Sequence, residues 1–394
     1  MMIQAVLGNP HHPEYGVATI PFPIPRDQYA HCVELLEALE IGDAVKADCK
    51  VERIDSFYTV LKRTEMLTVN VEELNYLAKR LDSFDTGEAA QFQAMAHKLE
   101  LFELKDLINL TFCCQQATVI TDFSDLAAIG RDHYMNLHGG SASVDELNAL
   151  DGKGTARQLI ESGSGTITPY GVVYDNGMKL EQAYDGRFFP CYYYEPNAIT
   201  VAVTAKSEPE DTEHITWLFL PMVQEEIDRA LLRGGITDPS EIRLSLEDSW
   251  LPHEVFDLLD MDHVDISELN ALVQALDEFS DMSIRKYAAA AVMARPHTTE
   301  QAKHLAENLD LFDFAPSAST PEEYGKYMIQ QSGRFEYDEN LDAFYDYEKY
   351  GTERMNEEDG MFTDRGYIAY KGYTSMEEVM NGSQSSHMEM GGMM

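Results

Sequence analysis

The sequence predicts an α+β fold built from two tandem copies of one unit, and three observations support this prediction. The first is internal repetition: VNVEELNYLAKRLDSF at 69–84 returns as VDISELNALVQALDEF at 264–279, with eight identities in sixteen positions. The second is that strand-like and helix-like hydrophobic patterns succeed each other in the same order in both copies. The third is a length of 394 residues with 44% apolar content, which supports packed cores rather than a disordered acidic polymer.

Each copy is predicted to begin with a β-hairpin that leads into an amphipathic helix. In copy one, MIQAVLG and VATIPFPIP (2–8 and 17–25) precede RDQYAHCVELLEAL. In copy two, TVAVTA and ITWLFLPMV (200–205 and 215–223) precede QEEIDRALLR. Alternating apolar residues predict the strands, and apolar spacings of three and four predict the helices.

The repeated sixteen-residue segment is predicted to be a helix in both copies. Asn70 and Asp265 are placed to cap it, and Glu73 or Glu268 follows three residues later, as in a capping box. Leu74 and the leucines three and seven residues after it fall on one helical face. Each helix therefore has one apolar face to bury in its copy.

The offset of 195 residues continues downstream of this helix. DLAAIGRDHYM (125–135) aligns with TPEEYGKYMIQ (320–330), and GTITPYGVV (165–173) aligns with GMFTDRGYI (360–368). We expect a two-residue gap between them, because KGTAR matches YGTER at an offset of 197. The patterns predict a helical middle, then a helix and a β-hairpin at the end of each copy.

The repeat predicts four regions along the chain. Copy one occupies residues 1–177 and copy two occupies 198–372. Between them, residues 178–197 form a linker whose many aromatic side chains predict packing against a neighbouring surface. Residues 373–394 are Met-rich without periodicity, and we expect them to be a disordered tail.

Acidic residues dominate the composition and are unevenly distributed. The chain has 29 Lys and Arg against 69 Asp and Glu, a formal net charge of −40. Residues 1–195 hold 29 acids and 15 bases (−14), whereas 196–394 hold 40 acids and 14 bases (−26). The steepest concentration is 336–359, with ten acids and two bases (−8). A surface this negative repels phosphate, so we expect no nucleic-acid binding.

The segment 336–359, hereafter the acidic segment, alternates carboxylates with aromatic rings. A merely solvating segment is poor in aromatics, whereas packed rings would hold the carboxylates in fixed places. A rigid array of carboxylates can imitate a row of phosphates and bind a protein that normally holds DNA in a Lys/Arg-lined groove. The candidate partner-binding acids are Glu336, Asp338, Glu339, Asp342, Asp346, Glu348, Glu353, Glu357, Glu358 and Asp359. The candidate supporting aromatics are Phe344, Tyr345, Tyr347 and Tyr350.

Sequence motifs of enzymes, metal sites and cofactor sites were sought without success. The chain contains no G-x-x-x-x-G-K-[ST], G-x-G-x-x-G, H-E-x-x-H or G-x-S-x-G motif. His11 and His12 have no counterpart in copy two, and 257–268 lacks the central glycine of a calcium loop. The five cysteines show no C-x-x-C spacing, so neither a disulfide framework nor a zinc site is indicated. We therefore predict no catalytic site, no metal and no cofactor.

The hydropathy pattern predicts neither a membrane span nor a secretory leader. No run approaches the roughly 18 apolar residues of a membrane-spanning helix, and MMIQAVLGNPHH has neither a basic nor a long apolar region. We therefore expect a cytoplasmic protein that does not bind membranes.

The second half of the chain resembles the ArdA family of antirestriction proteins. The resemblance rests on WLFLPMVQEEIDRALLRGGI, then DISELNALVQALDEF, then GRFEYDENLDAFYDYEKYGTERMNEEDGMFTDRGYIAYKG. Its most specific part is DYEKYG ahead of a G-x-F-T-x-x-G-Y hairpin. Copy two looks like a whole ArdA protein and copy one looks like a diverged second one.

The resemblance implies an elongated, curved α+β protein, usually a homodimer, that mimics bent B-form DNA without catalysing a reaction. It implies occupation of the DNA-binding groove of type I restriction-modification enzymes, with the methyltransferase and specificity complex as partner. It also implies an origin on mobile genetic elements, and it maps the acids of 336–359 onto the segment associated with antirestriction activity.

The chain departs from the family pattern in two ways. Because it carries two copies, we expect one chain to act as a pseudo-dimer and to be monomeric in light scattering. In place of the acidic segment, copy one has LNALDGKGTARQLIESGSG, with Lys153 and Arg157, which suggests a scaffold or a partner-specific surface. Two alternatives stay open: an acidic adaptor that binds a defence protein away from its DNA groove, and a hydrolase or transferase with an unrecognised site.

Overall fold

The computed structural model describes residues 2–259 and 261–382, which form an α+β fold of antiparallel sheets and helices. The described chain divides into two compact units. Unit 1 comprises residues 2–196, 210–217 and 223–237, and unit 2 comprises 197–209, 218–222 and the described residues from 238 onward. The predicted fold class is confirmed.

The strands and helices of the first half follow the predicted order of hairpin, helix, helical middle, helix and hairpin. They are β1 (Ile3–Gly8), β2 (Val17–Phe22), α1 (Tyr29–Glu37), β3 (Cys49–Asp55), β4 (Thr68–Val69), α2 (Val71–Asp82), α3 (Thr86–Lys98), α4 (Leu104–Leu110), β5 (Thr118–Ile120), α5 (Leu126–Leu137), α6 (Val144–Ala149), α7 (Gly152–Glu161), β6 (Thr166–Thr168) and β7 (Gly171–Tyr174).

The second half repeats this order and ends with one additional helix. Its elements are β8 (Ile199–Ala205), β9 (Thr216–Leu220), α8 (Gln224–Arg233), β10 (Ile242–Ser249), α9 (His253–Phe256), α10 (Ile266–Asp277), α11 (Asp281–Ala294), α12 (Thr299–Glu307), β11 (Phe312–Pro316), α13 (Pro321–Gln330), α14 (Tyr347–Glu357), β12 (Asp359–Thr363), β13 (Gly366–Tyr370) and α15 (Met376–Met380).

Four antiparallel sheets form two matching pairs. The N-terminal sheets have the orders β2-β1-β3-β4 and β10-β8-β9, each with the first strand of its half inside. The C-terminal sheets have the orders β5-β7-β6 and β11-β13-β12. In the latter pair, Ile120 lies opposite Val172 and Ala315 lies opposite Tyr367, so both registers are related by 195 residues.

The helices of the two halves begin 195 residues apart. This holds for α2 and α10, α3 and α11, α4 and α12, α5 and α13, and α7 and α14. The expected two-residue gap before α7 and α14 is therefore wrong. Asp151 caps α7 by accepting from the Gly154 N–H, and Asp346 caps α14 by accepting from the Lys349 N–H. These caps fix both helix starts at one offset, so the match of KGTAR with YGTER was a similarity of letters alone.

The caps of the repeated helix are as predicted, whereas its capping boxes are not. Asn70 accepts from the Glu73 N–H at 3.1 Å, and Asp265 accepts from the Glu268 N–H at 3.1 Å. Neither glutamate bonds back to its cap. Glu73 accepts from the Tyr184 hydroxyl (2.7 Å) and Glu268 from the hydroxyl of a threonine at the start of α12 (2.6 Å). A tertiary hydroxyl thus replaces the local N–H.

Two segments differ from the predicted regions. Helix α8, assigned from sequence to copy two, lies in unit 1, where Arg229 bonds Glu72 at 2.6 Å. The expected tail from residue 373 contains α15, whose N-cap Ser375 forms a full capping box and whose Val379 and Met380 are buried. Residues 383–394 lie outside the described part of the chain.

The N-terminal sheet of unit 1 and helices α2 to α4 share one large apolar core. Tyr184 from the linker is buried in this core, and Phe189 packs against it, as expected from the linker's aromatic content. No helix in the described residues is long and apolar enough to cross a membrane.

Candidate partner-binding surface

The acidic segment is supported by the crossing of α13 and α14 in unit 2. Gly325 of α13 faces the backbone of α14 so closely that an added Cβ would overlap the Tyr347 carbonyl oxygen. At Gly351 of α14, an added Cβ would overlap the Pro321 carbonyl oxygen. Glycine on both helices therefore permits a backbone-to-backbone crossing, which sets the position of α14 and of its carboxylates.

A single 3-10 turn, Glu339–Phe344, connects the two helices to the acidic segment. Asp338 caps this turn by accepting from the Asn340 N–H at 2.9 Å. Asp346 caps the following helix α14. Both carboxylates are consumed by backbone donors, so they hold the local structure while remaining exposed.

Asp342 is held by three side chains that converge on one of its oxygens. The hydroxyl of Tyr337 donates at 2.6 Å, Gln330 Nε2 donates at 2.9 Å, and the hydroxyl of Tyr347 also donates. The Tyr337 bond, followed by the Tyr347 bond, lowers the pKa of Asp342. The same bond with Asp342 raises the pKa of Tyr337. This arrangement, hereafter the Asp342 clasp, joins α13, the turn and α14.

Glu358 belongs to a second polar cluster at the other end of α14. Its carboxylate pairs with Arg354 one turn earlier and accepts from the Tyr324 hydroxyl at 2.6 Å. Burial, and then the neighbouring Glu358, raise the pKa of Tyr324. Arg354 also bonds Glu357 at 3.2 Å. Glu358 thus stabilises the end of the helix and is half-buried.

The remaining acids face solvent. Nine of the ten candidate acids are exposed, Glu358 being the exception. Glu348, Glu353 and Glu357 lie on the exposed half of α14, and Glu353 is 4.0 Å from Lys349. Within the part of the chain that the structure describes, four of the acids form no ion pair: Glu336, Glu339, Glu348 and Asp359. The structure therefore divides the candidates into acids that hold the segment and acids available to a partner.

Three of the four predicted supporting aromatics pack. Tyr347 is buried, and the Tyr345 ring lies 5.7 Å from it. Tyr350 meets the ring of Phe335 edge-on at 5.9 Å. Phe344 does not support the backbone: its side chain is 83% exposed, so this expectation is wrong. The reason is that the 3-10 turn ends at Phe344 and directs it away from the clasp residues.

Sequence reasoning missed Gln330 and Tyr324 as part of this surface. Both lie on α13, before the acidic segment, and neither is acidic. Their contribution depends on the helix crossing, because Gln330 reaches Asp342 and Tyr324 reaches Glu358 only across it. The repeated glycines Gly130 and Gly325 were visible in the alignment and are the one sequence signal for this crossing.

The first half carries a counterpart of the acidic segment with the same backbone pattern and little charge. Residues 141–164, at an offset of 195, hold four acids and two bases (−2), against −8 for 336–359. Helix α6 spans the positions of the 3-10 turn, and α7 spans those of α14. Asp346 alone keeps an acid at its counterpart, Asp151, and both are helix caps. Glu348 is replaced by Lys153.

The surface offers no arrangement for a metal ion. In the described residues, no group of three or more His, Cys, Asp or Glu side chains could hold one. The acids of the surface instead bond hydroxyls, backbone N–H groups and Arg354, or face solvent.

Comparison with known proteins gives one match. Residues 212–369 match a family model described as "Antirestriction protein (ArdA)". The matched range begins before β9 and ends within β13, so it includes the whole acidic segment. No curated protein matches the chain.

Proposed function

Because residues 212–369 belong to the ArdA family of antirestriction proteins, we propose that this chain inhibits a type I restriction-modification enzyme by occupying its DNA-binding groove. Family membership implies antirestriction activity, and the proposal adds the mechanism and the target. The exposed carboxylates of the acidic segment stand in place of DNA phosphates, and the chain catalyses no reaction. We place this action in the cytoplasm, where incoming DNA meets the enzyme.

The observation that carries the proposal is the contrast between the acidic segment and its counterpart. Both halves build the same turn and helix, yet the net charge is −8 in one and −2 in the other. The acid common to both segments is a structural cap, Asp346 or Asp151. Since the fold is built without the other acids, their concentration in unit 2 is explained by a partner.

The axial spacing of the carboxylates on α14 is of the right order for a phosphate array. At about 1.5 Å per residue, Glu348, Glu353 and Glu357 follow one another at intervals of about 7.5 and 6 Å. One DNA strand carries a charge about every 3.4 Å of axis. Helix α14 alone thus supplies about half the density of one strand, and Glu336, Glu339 and Asp359 add to it.

The decisive experiment is competition binding to a type I restriction-modification methyltransferase against a duplex of roughly 40 base pairs, from low to high salt. We expect the duplex to displace the chain and log affinity to fall steeply with log salt, because cationic groove residues exchange one polyanion for another. Binding without competition would support the adaptor that contacts its partner outside the DNA groove. Absence of binding would refute the proposed target.

We further propose that the first half is a diverged ArdA-like copy that supplies a scaffold within the same chain. The common offset of 195 residues in five helix pairs and one sheet pair supports this. One chain would then provide what a homodimer provides in the family. Light scattering of the full chain should give a monomer mass, and a dimer mass would contradict the pseudo-dimer.

A further inference from the structure

A large apolar side chain projects from the middle of the acidic segment. Phe344 is 83% exposed at the end of the 3-10 turn. Leu341, earlier in the same turn, is 48% exposed. Exposed acids flank Phe344 in the sequence at Asp342 and Asp346. An apolar projection surrounded by carboxylates is costly in water, so it needs an explanation.

The position of Phe344 is set by its surroundings. Asp338 caps the turn that ends at Phe344, and Asp346 caps the helix two residues later. Between them, the Asp342 clasp joins the turn to α13 and α14. Phe344 is therefore presented on a braced turn, as a preorganised contact residue should be.

The fold does not require an aromatic ring at this position. In the first half, α6 spans the equivalent six residues and ends at Ala149, the counterpart of Phe344. The same connection into the next helix is thus made with a methyl group. Since the ring contributes little to its own unit, its exposed surface is best explained by a partner.

We propose that Phe344 is the aromatic anchor of the partner interface and takes the place of a base, while the neighbouring carboxylates take the place of phosphates. This rests on the proposed function. A DNA-binding groove combines cations for phosphates with apolar groups that contact thymine methyls and base faces. Phe344 contacts those apolar groups, with Leu341 at its margin. Charges steer association, whereas buried aromatic anchors slow dissociation.

The test compares the full-length wild type with Phe344→Ala, Phe344→Trp and a matched control, Tyr373→Ala, in the duplex competition assay with the methyltransferase. Tyr373 lies in unit 2 outside the acidic segment and is fully exposed. We expect Phe344→Ala to lower affinity about 10- to 100-fold, mainly through faster dissociation. The slope of log affinity against log salt should be unchanged, because no charge is removed. Tyr373→Ala should stay within about twofold of wild type.

Phe344→Trp provides a direct readout. Its affinity should stay near that of the wild type, and its additional emission should shift to shorter wavelength on binding, relative to the chain's two natural tryptophans. Unchanged thermal denaturation of all three variants verifies folding. If wild type is displaced by duplex but Phe344→Ala binds equally well, the anchor is wrong and the proposed function stands. If wild type is not displaced by duplex, both fall.

Discussion

At the scale of the residue, carboxylates that look alike in sequence have different tasks. Asp342 accepts three side-chain bonds, Asp346 caps a helix, and Glu358 pairs with a half-buried arginine. Glu336 and Glu348 face solvent. Exposed charges contribute little to stability, whereas acids that satisfy donors hold geometry. Substitutions in the first group should therefore affect folding, and those in the second should affect binding.

Charge reversal at Glu348 should weaken the partner interaction and leave the fold intact. Glu348→Lys introduces the residue found at its counterpart, Lys153, on an equivalent helix. We expect affinity for the methyltransferase to fall about 2- to 30-fold and the salt slope to become shallower. Glu278→Lys, an exposed reversal at the end of α10, is the matched control. Equal effects of the two variants would show that only net charge matters.

Removing the charge of Asp342 should destabilise the protein in a pH-dependent way. The Tyr337 and Tyr347 hydroxyls lower the pKa of Asp342 in the folded state. A lowered pKa contributes stability above the unfolded value of about 3.9, and this is lost as the pH falls through the folded pKa. The difference in free energy of unfolding between wild type and Asp342→Asn should therefore be largest near neutral pH and shrink below about pH 4. Denaturant unfolding at several pH values measures it, and a difference independent of pH would contradict it.

At the scale of the element, the pair of crossing helices is used twice with different side chains. The small core beneath α5 and α7 contains Ile129 and Tyr174, whereas that beneath α13 contains Tyr324 and Ala369 at the corresponding positions. The aromatic ring has moved from the strand to the helix, which keeps the filled volume similar. In unit 2 this places a hydroxyl beside Glu358. A packing exchange thus created a support for the acidic segment.

The glycine crossing should tolerate no side chain. Gly325→Ala places a methyl group against the Tyr347 carbonyl oxygen, and backbone cannot swing aside as a flexible side chain can. We expect a loss of about 1–3 kcal/mol or more in the free energy of unfolding, with weaker methyltransferase binding because α14 shifts. Gly87→Ala on α3 meets only the Asp85 side chain at 3.2 Å and serves as control. A variant with wild-type melting temperature would refute the crossing.

At the scale of the whole molecule, a net charge of −40 opposes folding through self-repulsion. The described structure relieves part of this locally, for example where Arg229 bonds Glu72 and Lys79 bonds Glu226 within unit 1. The acidic segment, with a net charge of −8, keeps its repulsion. Such a concentration persists where a partner's cations neutralise it on binding.

Salt should therefore stabilise the free protein while it weakens the complex. Raising ionic strength from about 0.01 to 0.15 M shortens the Debye length from about 30 to 8 Å and screens like charges. We expect the melting temperature to rise over this range while affinity for the methyltransferase falls. Calorimetry in sodium chloride, repeated in choline chloride at equal ionic strength, separates screening from ion-specific effects. A falling melting temperature would contradict self-repulsion.

The sequence by itself determined the α+β class, the repeated helix with its caps Asn70 and Asp265, and the place of the acidic segment. These follow from local information, because hydrophobic period, cap residues and charge counts are read within a few turns of chain. It also identified the family resemblance, which the match of residues 212–369 bears out.

Only the tertiary structure decided which acids hold the surface and which are available. Asp342 and Glu358 are distinguished from Glu348 by Gln330 and Tyr324, which lie on another helix. The exposure of Phe344 likewise depends on how the turn is braced, which its aromatic neighbours in sequence do not reveal. The physical reason is that hydrogen-bond partners and burial are properties of the packed chain, so residues of one type acquire separate roles only after distant segments meet.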